Sequence, residues 1–250
     1  MELMKEFRDI SVDLIDRILS EEESVASIVE VLADAIEDDR LIHVFGTGGH
    51  SSMGAMEIFY RAGGLACINP LFPPGMSNMD SHPSTERLTG YAEYILSHYQ
   101  VEEGDPLLVV NVNGINPVTI EAAMEGQERG AKVIAITSRE FASNVPDDLP
   151  ARHPNNKNLH ELGDLVLDVH VPVGDAVLEV EGFEQKVSAI STVLTAFALQ
   201  GLVGETVREL VDRGVEPPVW KSANVPGGDE ANAKYLDKYF DRVQHLYRYE

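Results

Sequence analysis

The sequence predicts an α/β fold of the doubly wound type, in which an open parallel sheet carries helices on both faces. Two features of the chain predict this fold. Short, almost wholly apolar segments alternate with segments whose apolar residues repeat at helical spacing, and strands covered on both faces are apolar along their whole length. With 250 residues, of which 44% are apolar, the chain can bury a substantial core. The predicted strands are residues 41–45, 65–69, 107–112, 132–137 and 165–169.

Helical spacing predicts the remaining elements, which fill the gaps between the strands and extend beyond them. Two helices precede the first strand and make a helical extension of residues 1–40, and a second helical extension covers residues 215–250. The last helix is aromatic along one face, a pattern typical of a subunit contact. We therefore expect a single domain over residues 1–250 that forms an oligomer. The predicted helices are residues 6–19, 24–36, 52–62, 85–99, 117–129, 185–211 and 231–246.

The charge of the chain narrows the range of partners. A formal net charge of −23, from 42 acidic and 19 basic residues, repels nucleic acid and anionic membranes, so neither is expected to bind. The chain has only seven lysines and contains acidic runs at residues 21–23 and 37–39. These features suggest a surface adapted to high salt, where short screening lengths relieve the repulsion between like charges.

Three further features bear on location and redox chemistry. No apolar run approaches the roughly 20 residues that span a bilayer. The first ten residues make a charged, amphipathic start rather than a signal peptide, so a cytoplasmic protein is expected. The single cysteine, Cys67, excludes an intrachain disulfide and a cysteine-based zinc cluster, and its apolar neighbours predict a buried strand residue.

A loop rich in glycine and serine follows the first predicted strand. Gly46, Gly48 and Gly49 allow backbone conformations and close approaches that a Cβ forbids, and Ser51 and Ser52 stand where a helix begins. Because a helix N-terminus carries partial positive charge, the loop predicts an anion site. It is neither a P-loop nor a GxGxxG motif, since no Lys-Ser or Lys-Thr pair follows and the glycine spacing differs. The alternative is a tight strand-to-helix connection without a ligand.

Polar loops also follow three other predicted strands. Ligands of open parallel sheets bind beyond the carboxyl ends of the strands, so these loops are expected to converge on one site. For the loop after the third strand, the alternative is a bend made by asparagine and glycine with no ligand. The polar residues of the three loops are Ser77, Asn78, Asp80, Ser81 and His82, then Asn111, Asn113, Gly114 and Asn116, then Ser138 and Arg139.

Two of these regions, LIHVFGTGGHSSMGAMEIFYRAGG and DPLLVVNVNGINPVTIEAAMEGQERGAKVIAITSRE, resemble the SIS (sugar isomerase) domain. The better match within that family is a branch of stand-alone proteins of about this length, related to the N-acetylmuramic acid 6-phosphate etherases. The later segments HPNNKNLHELGDLVLDVHVPVGDA and VWKSANVPGGDEANAKYLDKY resemble the same branch, so the resemblance covers nearly the whole chain. It implies a three-layer αβα sandwich with a five-stranded parallel sheet and phosphosugar binding at the strand ends. It also implies a site completed across a homodimer or homotetramer.

The resemblance assigns roles to individual residues of the first loop and the helix that follows it. Gly46, Gly48, Ser51 and Ser52 match the first phosphosugar loop of the family. Glu57 matches an acidic residue that serves as acid or base in several sugar phosphate isomerases.

The third loop departs from the family pattern. The family has Ser-x-Ser-Gly, with two hydroxyls that hold the phosphate, whereas this chain has Asn111 and Asn113 before Gly114. A downstream Pro-Ser-Gly-Lys of the branch reads Pro-Asn-Asn-Lys at residues 154–157. Asparagine amides can donate hydrogen bonds to an anion, but they also bring a carbonyl acceptor. The departures therefore point to an altered phosphate geometry or to a different ligand.

Isomerisation of a sugar phosphate moves a proton between adjacent carbons through an enediol, which needs a base and a group for the hydroxyl protons. Glu57 is the predicted base, because it lies about one and a half turns into the helix that starts at the glycine loop. The alternative is an i,i+4 ion pair between Glu57 and Arg61 on a solvated face. His50 and His82 are candidate partners, with hydrogen-bonding surface histidines as the alternative.

The remaining candidates extend the predicted site, and no metal or cofactor is predicted because no ligand spacing supports one. A hydroxyl stripe in the long helix, Ser188, Ser191, Thr192 and Thr195, would line the pocket from one end, or would pack against a neighbouring helix through small residues. The predicted ligand-binding residues are Gly46, Thr47, Gly48, Gly49, Ser51, Ser52, Asn111, Asn113, Gly114, Asn116, Ser138 and Lys157.

The leading functional hypothesis is a sugar phosphate isomerase that binds its substrate through the first and third loops. Etherase-type lyase chemistry on an amino-sugar phosphate is the second choice, since it too begins with proton abstraction beside a carbonyl. The hypotheses from other classes are a non-catalytic phosphosugar sensor and a catalytically inactive oligomeric scaffold.

Overall fold

Five parallel strands form the central sheet of the protein, whose computed structural model describes residues 1–77, 82 and 84–247. The strand order is β2-β1-β3-β4-β5. Because β2 lies on one side of β1 and β3 on the other, the direction of winding reverses between β1 and β3. In sheets of this order that reversal opens a crevice at the carboxyl ends of the two strands. The strands are β1 Ile42–Gly46, β2 Ile68–Leu71, β3 Pro106–Val110, β4 Lys132–Thr137 and β5 Leu165–Asp168.

Helices cover both faces of the sheet. In the longer helices apolar residues recur every three or four positions, and this stripe is buried in the hydrophobic core. In chain order the helices are α1 Glu2–Leu19, α2 Glu22–Glu37, α3 Ser52–Ile58, α4 Tyr91–His98, α5 Pro117–Glu128, α6 Arg139–Ser143, α7 Leu159–Leu162, α8 Ser191–Asp212 and α9 Gly228–Tyr239.

The hydrophobic core is divided in two by the sheet. Successive strand residues point to opposite faces, so neighbouring apolar residues join different cores. On one face Val44 and Leu108 pack with α1, α2, α3 and α8. On the other face Phe45 and Leu107 pack with α4, α5 and α7. The predicted three-layer αβα sandwich with a five-stranded parallel sheet is thus confirmed.

A hairpin replaces the first turns of the predicted long helix. Residues 185–189 were expected to be helical, but they belong to strand β7, Phe183–Ala189, which pairs antiparallel with β6, Ala176–Val180. Gly182, with a φ of 79°, makes the turn between them. The prediction was wrong here because the polar and apolar residues of this stretch suit either element, and only pairing with β6 decides between them.

Three other predicted elements end or break earlier than expected. The helix predicted over residues 52–62 ends at Ile58, because the following Phe59 is extended and Tyr60 has a φ of 41°. The helix predicted over residues 85–99 is divided into a 3₁₀ turn, Thr85–Arg87, and α4, because Gly90 adopts a left-handed conformation with a φ of 78°. The last predicted helix, residues 231–246, runs instead over Gly228–Tyr239.

The aromatic face of the C-terminal segment packs inside the chain. Tyr239 is 2% exposed, and Val243 and Leu246 are buried with it. Tyr235 packs edge-on against Trp220, with ring centroids 5.7 Å apart. The aromatic residues that predicted a subunit contact therefore pack in the core of the same chain.

Cys67 is buried immediately before β2, and burial raises the pKa of its thiol to about 12. A thiol in that state is an apolar packing group rather than a nucleophile. Among the described helices, none combines the length and the apolar character that crossing a bilayer demands.

Candidate functional site

A cavity of about 440 Å³ lies where the loops after β1 and β3 meet, together with the start of α8. This is the crevice that the strand order predicts, and its volume is in the range of small-molecule sites. The described residues that line it are Gly48, Gly49, His50, Ser51, Met53, Gly54, Glu57, Glu86, Asn111, Val112, Asn113, Phe141, Asp175, Ser191, Thr192, Thr195 and Ala196.

The first loop offers the cavity backbone and hydroxyl donors. The backbone N–H groups of Gly48, Gly49 and Ser51 donate to no acceptor among the described residues. The Ser51 side chain stands at the N-cap of α3 and makes no capping hydrogen bond. An anion or a sugar hydroxyl in the cavity would meet these donors, because unpaired N–H groups seek an acceptor.

Two neighbours in the same loop hold it in shape. The hydroxyl of Thr47 is buried and hydrogen-bonded to that of Thr119, with the oxygens 2.5 Å apart. The hydroxyl of Ser52 donates to the Gly49 carbonyl at 2.7 Å. Gly46 belongs to β1, where the Ser51 carbonyl occupies the space that a Cβ would need. Thr47, Ser52 and Gly46 were predicted as ligand-binding residues, but they lie behind the cavity and do not line it.

The asparagines of the third loop use their amide oxygens within the loop itself. The Asn111 Oδ1 accepts the N–H of Gly114 at 2.9 Å, and the Asn113 Oδ1 accepts the N–H of Ile115 at 3.2 Å. Since each carbonyl oxygen is held by the loop backbone, each side chain has its NH₂ group left to offer a ligand. A Cβ placed on Gly48 would lie 3.3 Å from the Asn111 Nδ2, so that amide faces the first loop.

Other predicted residues near the third and fourth loops have structural contacts. Gly114, with a φ of 60°, lets the chain turn, and the Asn116 Nδ2 donates to the Ala151 carbonyl at 3.1 Å. The buried Ser138 hydroxyl donates to the Val171 carbonyl at 2.7 Å and accepts the N–H of Phe141. None of these three predicted residues lines the cavity.

Lys157 and His82 also lie off the cavity lining. Both are exposed, and the Nδ1 of His82 accepts the N–H of Ser84 at 3.1 Å. His50, by contrast, lines the cavity. Asn78, Asp80 and Ser81 of the second loop are outside the described residues.

Glu57 lines the cavity, but its carboxylate is already engaged. It forms an ion pair with Arg61 in the i,i+4 arrangement, and Gln200 donates to its Oε1 at 3.1 Å. The ion pair foreseen as the alternative to catalysis is therefore present together with the cavity position. The Glu57 Oε1 is therefore already bound by two side chains of the same chain.

Glu86 is a cavity residue that the sequence did not single out. It lies in the Thr85–Arg87 turn, and desolvation by burial raises the pKa of its carboxyl above its ordinary value, against the opposing effect of Arg87. A Cβ on Gly48 would lie 2.9 Å from its Oε2. Glu86 was missed because the sequence predicted one continuous helix over residues 85–99. In such a helix Glu86 lies in the first turn, away from the cavity.

Asp175 is the second cavity residue that was missed. Its Oδ1 accepts the N–H groups of Ile190 and Ser191 at 3.0 and 2.7 Å, and its Oδ2 accepts the Ser191 hydroxyl at 2.7 Å. The carboxylate thus occupies the N-terminus of α8 and leaves Thr192 and Thr195 to line the cavity behind it. Asp175 was missed because it precedes β6, whose hairpin was not predicted.

The described residues contain one cluster with metal-ligand types, formed by Glu21, Asp168 and His170. These groups bind one another. The Nε2 of His170 lies 3.0 Å from the Glu21 Oε1, and the backbone N–H of His170 donates to the Asp168 Oδ1 at 2.8 Å. Arg139 adds a cation 3.8 Å from the Asp168 Oδ2. We assign no metal to this cluster, and none of its three members lines the cavity.

Comparisons with known proteins agree with this architecture. The family model of the SIS domain matches residues 6–138. A UPF0309 protein of Streptomyces coelicolor is 36% identical over 244 residues, which cover 95% of this chain and 95% of that protein. A UPF0309 protein of Oceanobacillus iheyensis is 34% identical over 251 residues, covering 98% of this chain and 100% of that protein.

Solved structures also resemble the fold of this chain. The phosphoheptose isomerase of Neisseria gonorrhoeae has a TM-score of 0.51 and 17% sequence identity, covering 84% of this chain and 98% of that one. At this identity the likeness is one of fold. Taken with the family model and the two relatives, the loops and the strand order lead to one conclusion: the chain belongs to the SIS-domain family and is related over nearly its whole length to UPF0309 proteins.

Proposed function

We propose that the protein binds a sugar phosphate in the cavity between β1 and β3 and isomerises it by proton transfer through an enediol. One observation carries the binding step: unpaired N–H groups at Gly48, Gly49 and Ser51 stand opposite the loop whose asparagines offer NH₂ groups. Neutral donors of this kind hold a phosphate or sugar hydroxyls by hydrogen bonds alone. A phosphoheptose isomerase with the same fold supports the ligand class.

The charges around the cavity make neutral donors the main source of affinity. The lining includes Glu57, Glu86 and Asp175, and no lysine or arginine is found among the described lining residues. A phosphate dianion would therefore be held without a cationic clamp and against an acidic field. We expect moderate affinity that rises with ionic strength, because salt screens the repulsion between charges of the same sign.

Binding can be tested by thermal shift with hexose, pentose, heptose and amino-sugar phosphates, each beside its unphosphorylated form. A ligand at 100 times its Kd stabilises a folded protein by about 2.7 kcal/mol. At least one phosphosugar is expected to raise the Tm more than its unphosphorylated partner. If none does so, phosphosugar binding is refuted.

A matched pair of variants tests the role of the third loop. In Asn113→Asp the oxygen that accepts the Ile115 N–H is kept, while the NH₂ donor becomes a negatively charged oxygen. We expect at least about tenfold weaker binding, because a hydrogen bond to a charged ligand is worth roughly 1.5–3 kcal/mol. Asn224→Asp makes the same charge change in an exposed loop away from the cavity and is the control. Equal affinities of the two variants would contradict the proposed site.

A non-catalytic phosphosugar sensor is the second candidate, and the pairing of Glu57 with Arg61 and Gln200 favours it. A sensor needs the donors of the cavity but no free base. Exchange of the substrate C–H proton with deuterated water, followed by NMR, separates the two functions. An isomerase exchanges the proton beside the carbonyl, whereas a sensor only binds.

A further inference from the structure

The two glutamates of the cavity have different environments. The Glu57 carboxylate is held by Arg61 and Gln200. The Glu86 carboxyl accepts no hydrogen bond from any residue the structure describes, and the one charged neighbour that acts on it is Arg87. Proton transfer needs a carboxyl oxygen within hydrogen-bond reach of the substrate proton, and an oxygen already bound by neighbouring side chains is less accessible for that contact.

Glu86 also occupies the spot where the donor groups of the cavity converge. A Cβ added to Gly48 would lie 2.9 Å from the Glu86 Oε2 and 3.3 Å from the Asn111 Nδ2. A ligand atom near Gly48 would therefore be close to the carboxyl, the amide and the backbone of the first loop at once. Enolisation requires a base beside the carbon that loses its proton and a hydrogen-bond donor beside the adjacent carbonyl oxygen, since the donor stabilises the oxyanion that forms. The closeness of the carboxyl and the amide allows both contacts to one ligand.

The Glu86 carboxyl is tuned for this task by its surroundings. Burial raises its pKa, and Arg87 partly offsets that effect. A carboxyl with a raised pKa is a stronger base when ionised and a more useful acid when protonated. Glu57 and Glu86 thus differ in their surroundings: the Glu57 carboxylate is bound by Arg61 and Gln200, whereas the Glu86 carboxyl is desolvated and has a raised pKa.

We propose that Glu86, rather than Glu57, is the catalytic base of the cavity, an assignment that rests on the proposed isomerase function. The Glu86 carboxylate removes the proton from the carbon next to the carbonyl of an aldose or ketose phosphate. The electron pair of the C–H bond forms the C=C bond of the enediolate, and the carbonyl π electrons move to its oxygen. A proton then passes from the neighbouring hydroxyl to that oxygen, the new carbonyl forms, and the Glu86 carboxylic acid returns its proton to the other carbon.

The test uses Glu86→Gln, Glu57→Gln and the control Glu93→Gln, which removes an exposed carboxylate of α4 outside the cavity. Binding is measured by thermal shift with the phosphosugar that stabilises the unmodified protein most. Proton transfer is measured by deuterium incorporation into that sugar. For E86Q we expect unchanged or tighter binding, because a negative charge beside the anion is removed, and exchange slower by about 10²- to 10⁴-fold. E93Q is expected to match the unmodified protein in both measurements.

Each outcome decides a different question. If no phosphosugar stabilises the unmodified protein, the proposed function fails before Glu86 is tested. If the unmodified protein binds and exchanges but E86Q exchanges at a similar rate, only the assignment of Glu86 is overturned. Loss of exchange in E57Q with full exchange in E86Q would return the role of base to Glu57. Binding without any exchange in the unmodified protein would also overturn the assignment and leave a sensor.

Discussion

Gly46 and Gly48 lie two residues apart in the first loop, yet the structure requires them for different reasons. At Gly46 the space for a Cβ is taken by the backbone of Ser51 and Ser52, which cannot move without unmaking the loop. At Gly48 the neighbours are the ends of two side chains, Glu86 and Asn111. The lack of a side chain is therefore needed at Gly46 for the loop to fold, and at Gly48 it leaves room for the residues of the cavity.

Gly46→Ala is expected to lower the free energy of unfolding by about 2–4 kcal/mol, because the new methyl group overlaps backbone atoms. Gly204→Ala is the matched control: it makes the same change in α8, where nothing lies within 4 Å of the added Cβ. That variant should be more stable by up to about 1 kcal/mol, since alanine favours a helix over glycine. Urea unfolding measures both. A neutral G46A would show that the loop backbone yields at little cost.

Residue chemistry could be predicted from the sequence where it depends on residue type, and not where it depends on neighbours. Gly48, Ser51, Asn111 and Asn113 were expected at the site from their place after strands, and Glu57 from its place in the helix after the first loop. All five line the cavity. Which atom each presents could not be foreseen. The asparagine orientation follows from backbone N–H groups that are positioned only when the loop has folded.

At the scale of elements, α8 depends on a residue from outside the helix. Asp175 accepts two backbone N–H groups and the Ser191 hydroxyl at the start of α8, so it acts as the cap that the helix lacks at Ile190. It also fixes the base of the β6–β7 hairpin against the helix. One side chain thus connects the hairpin, the helix and the cavity wall.

Asp175→Ala is expected to reduce the free energy of unfolding by about 1–3 kcal/mol, because charged hydrogen bonds and a helix cap are lost together. Asp175→Asn keeps an acceptor oxygen and should recover part of that loss. Denaturant midpoints at constant m-value measure the effect. Equal stabilities of the alanine variant and the unmodified protein would show that water replaces the cap without cost.

Elements whose residue pattern suits only one structure were predicted well. Elements whose residue pattern suits two structures were not. The strands of the sheet are short and apolar because they are buried on both faces, and β4 begins and ends where it was predicted, at Lys132 and Thr137. The hairpin and the aromatic C-terminal segment had two possible explanations each. The prediction of a homodimer or homotetramer therefore stays a prediction that rests on the family resemblance and no longer on the aromatic face, since Tyr239 is buried within the chain.

At the scale of the whole molecule, the net charge is −23, and some of the acidic side chains that produce it form ion pairs while others do not. Asp39 is held by Lys238 and Arg242, and its pKa is lowered by the hydrogen bond from Lys238, with burial opposing and Arg242 adding to the effect. Glu37 shares Arg213 with Asp34 and Glu209. Because the basic residues are so few, most acidic side chains among the described residues form no ion pair and repel one another.

We expect the Tm to rise as potassium chloride increases from the decimolar to the molar range, because the screening length falls from about 10 Å to about 3 Å. Sucrose, which favours compact states without screening charge, is the control. The Tm should rise more in potassium chloride than in sucrose at matched osmolality. A Tm that is flat in salt, or that follows sucrose, would refute the hypothesis of a high-salt surface.

The sequence alone determined the architecture and the edge of the sheet where the cavity lies. Both follow from local causes, namely apolar strands, helical periodicity and glycine-rich loops at strand ends. Tertiary structure decided which neighbours each carboxyl of the cavity has. Glu57 is held by Gln200, which is 143 residues away in the chain, and Glu86 is desolvated against the loop of Gly48. Basicity depends on solvent and on neighbouring charges, and the folded chain alone brings those neighbours together.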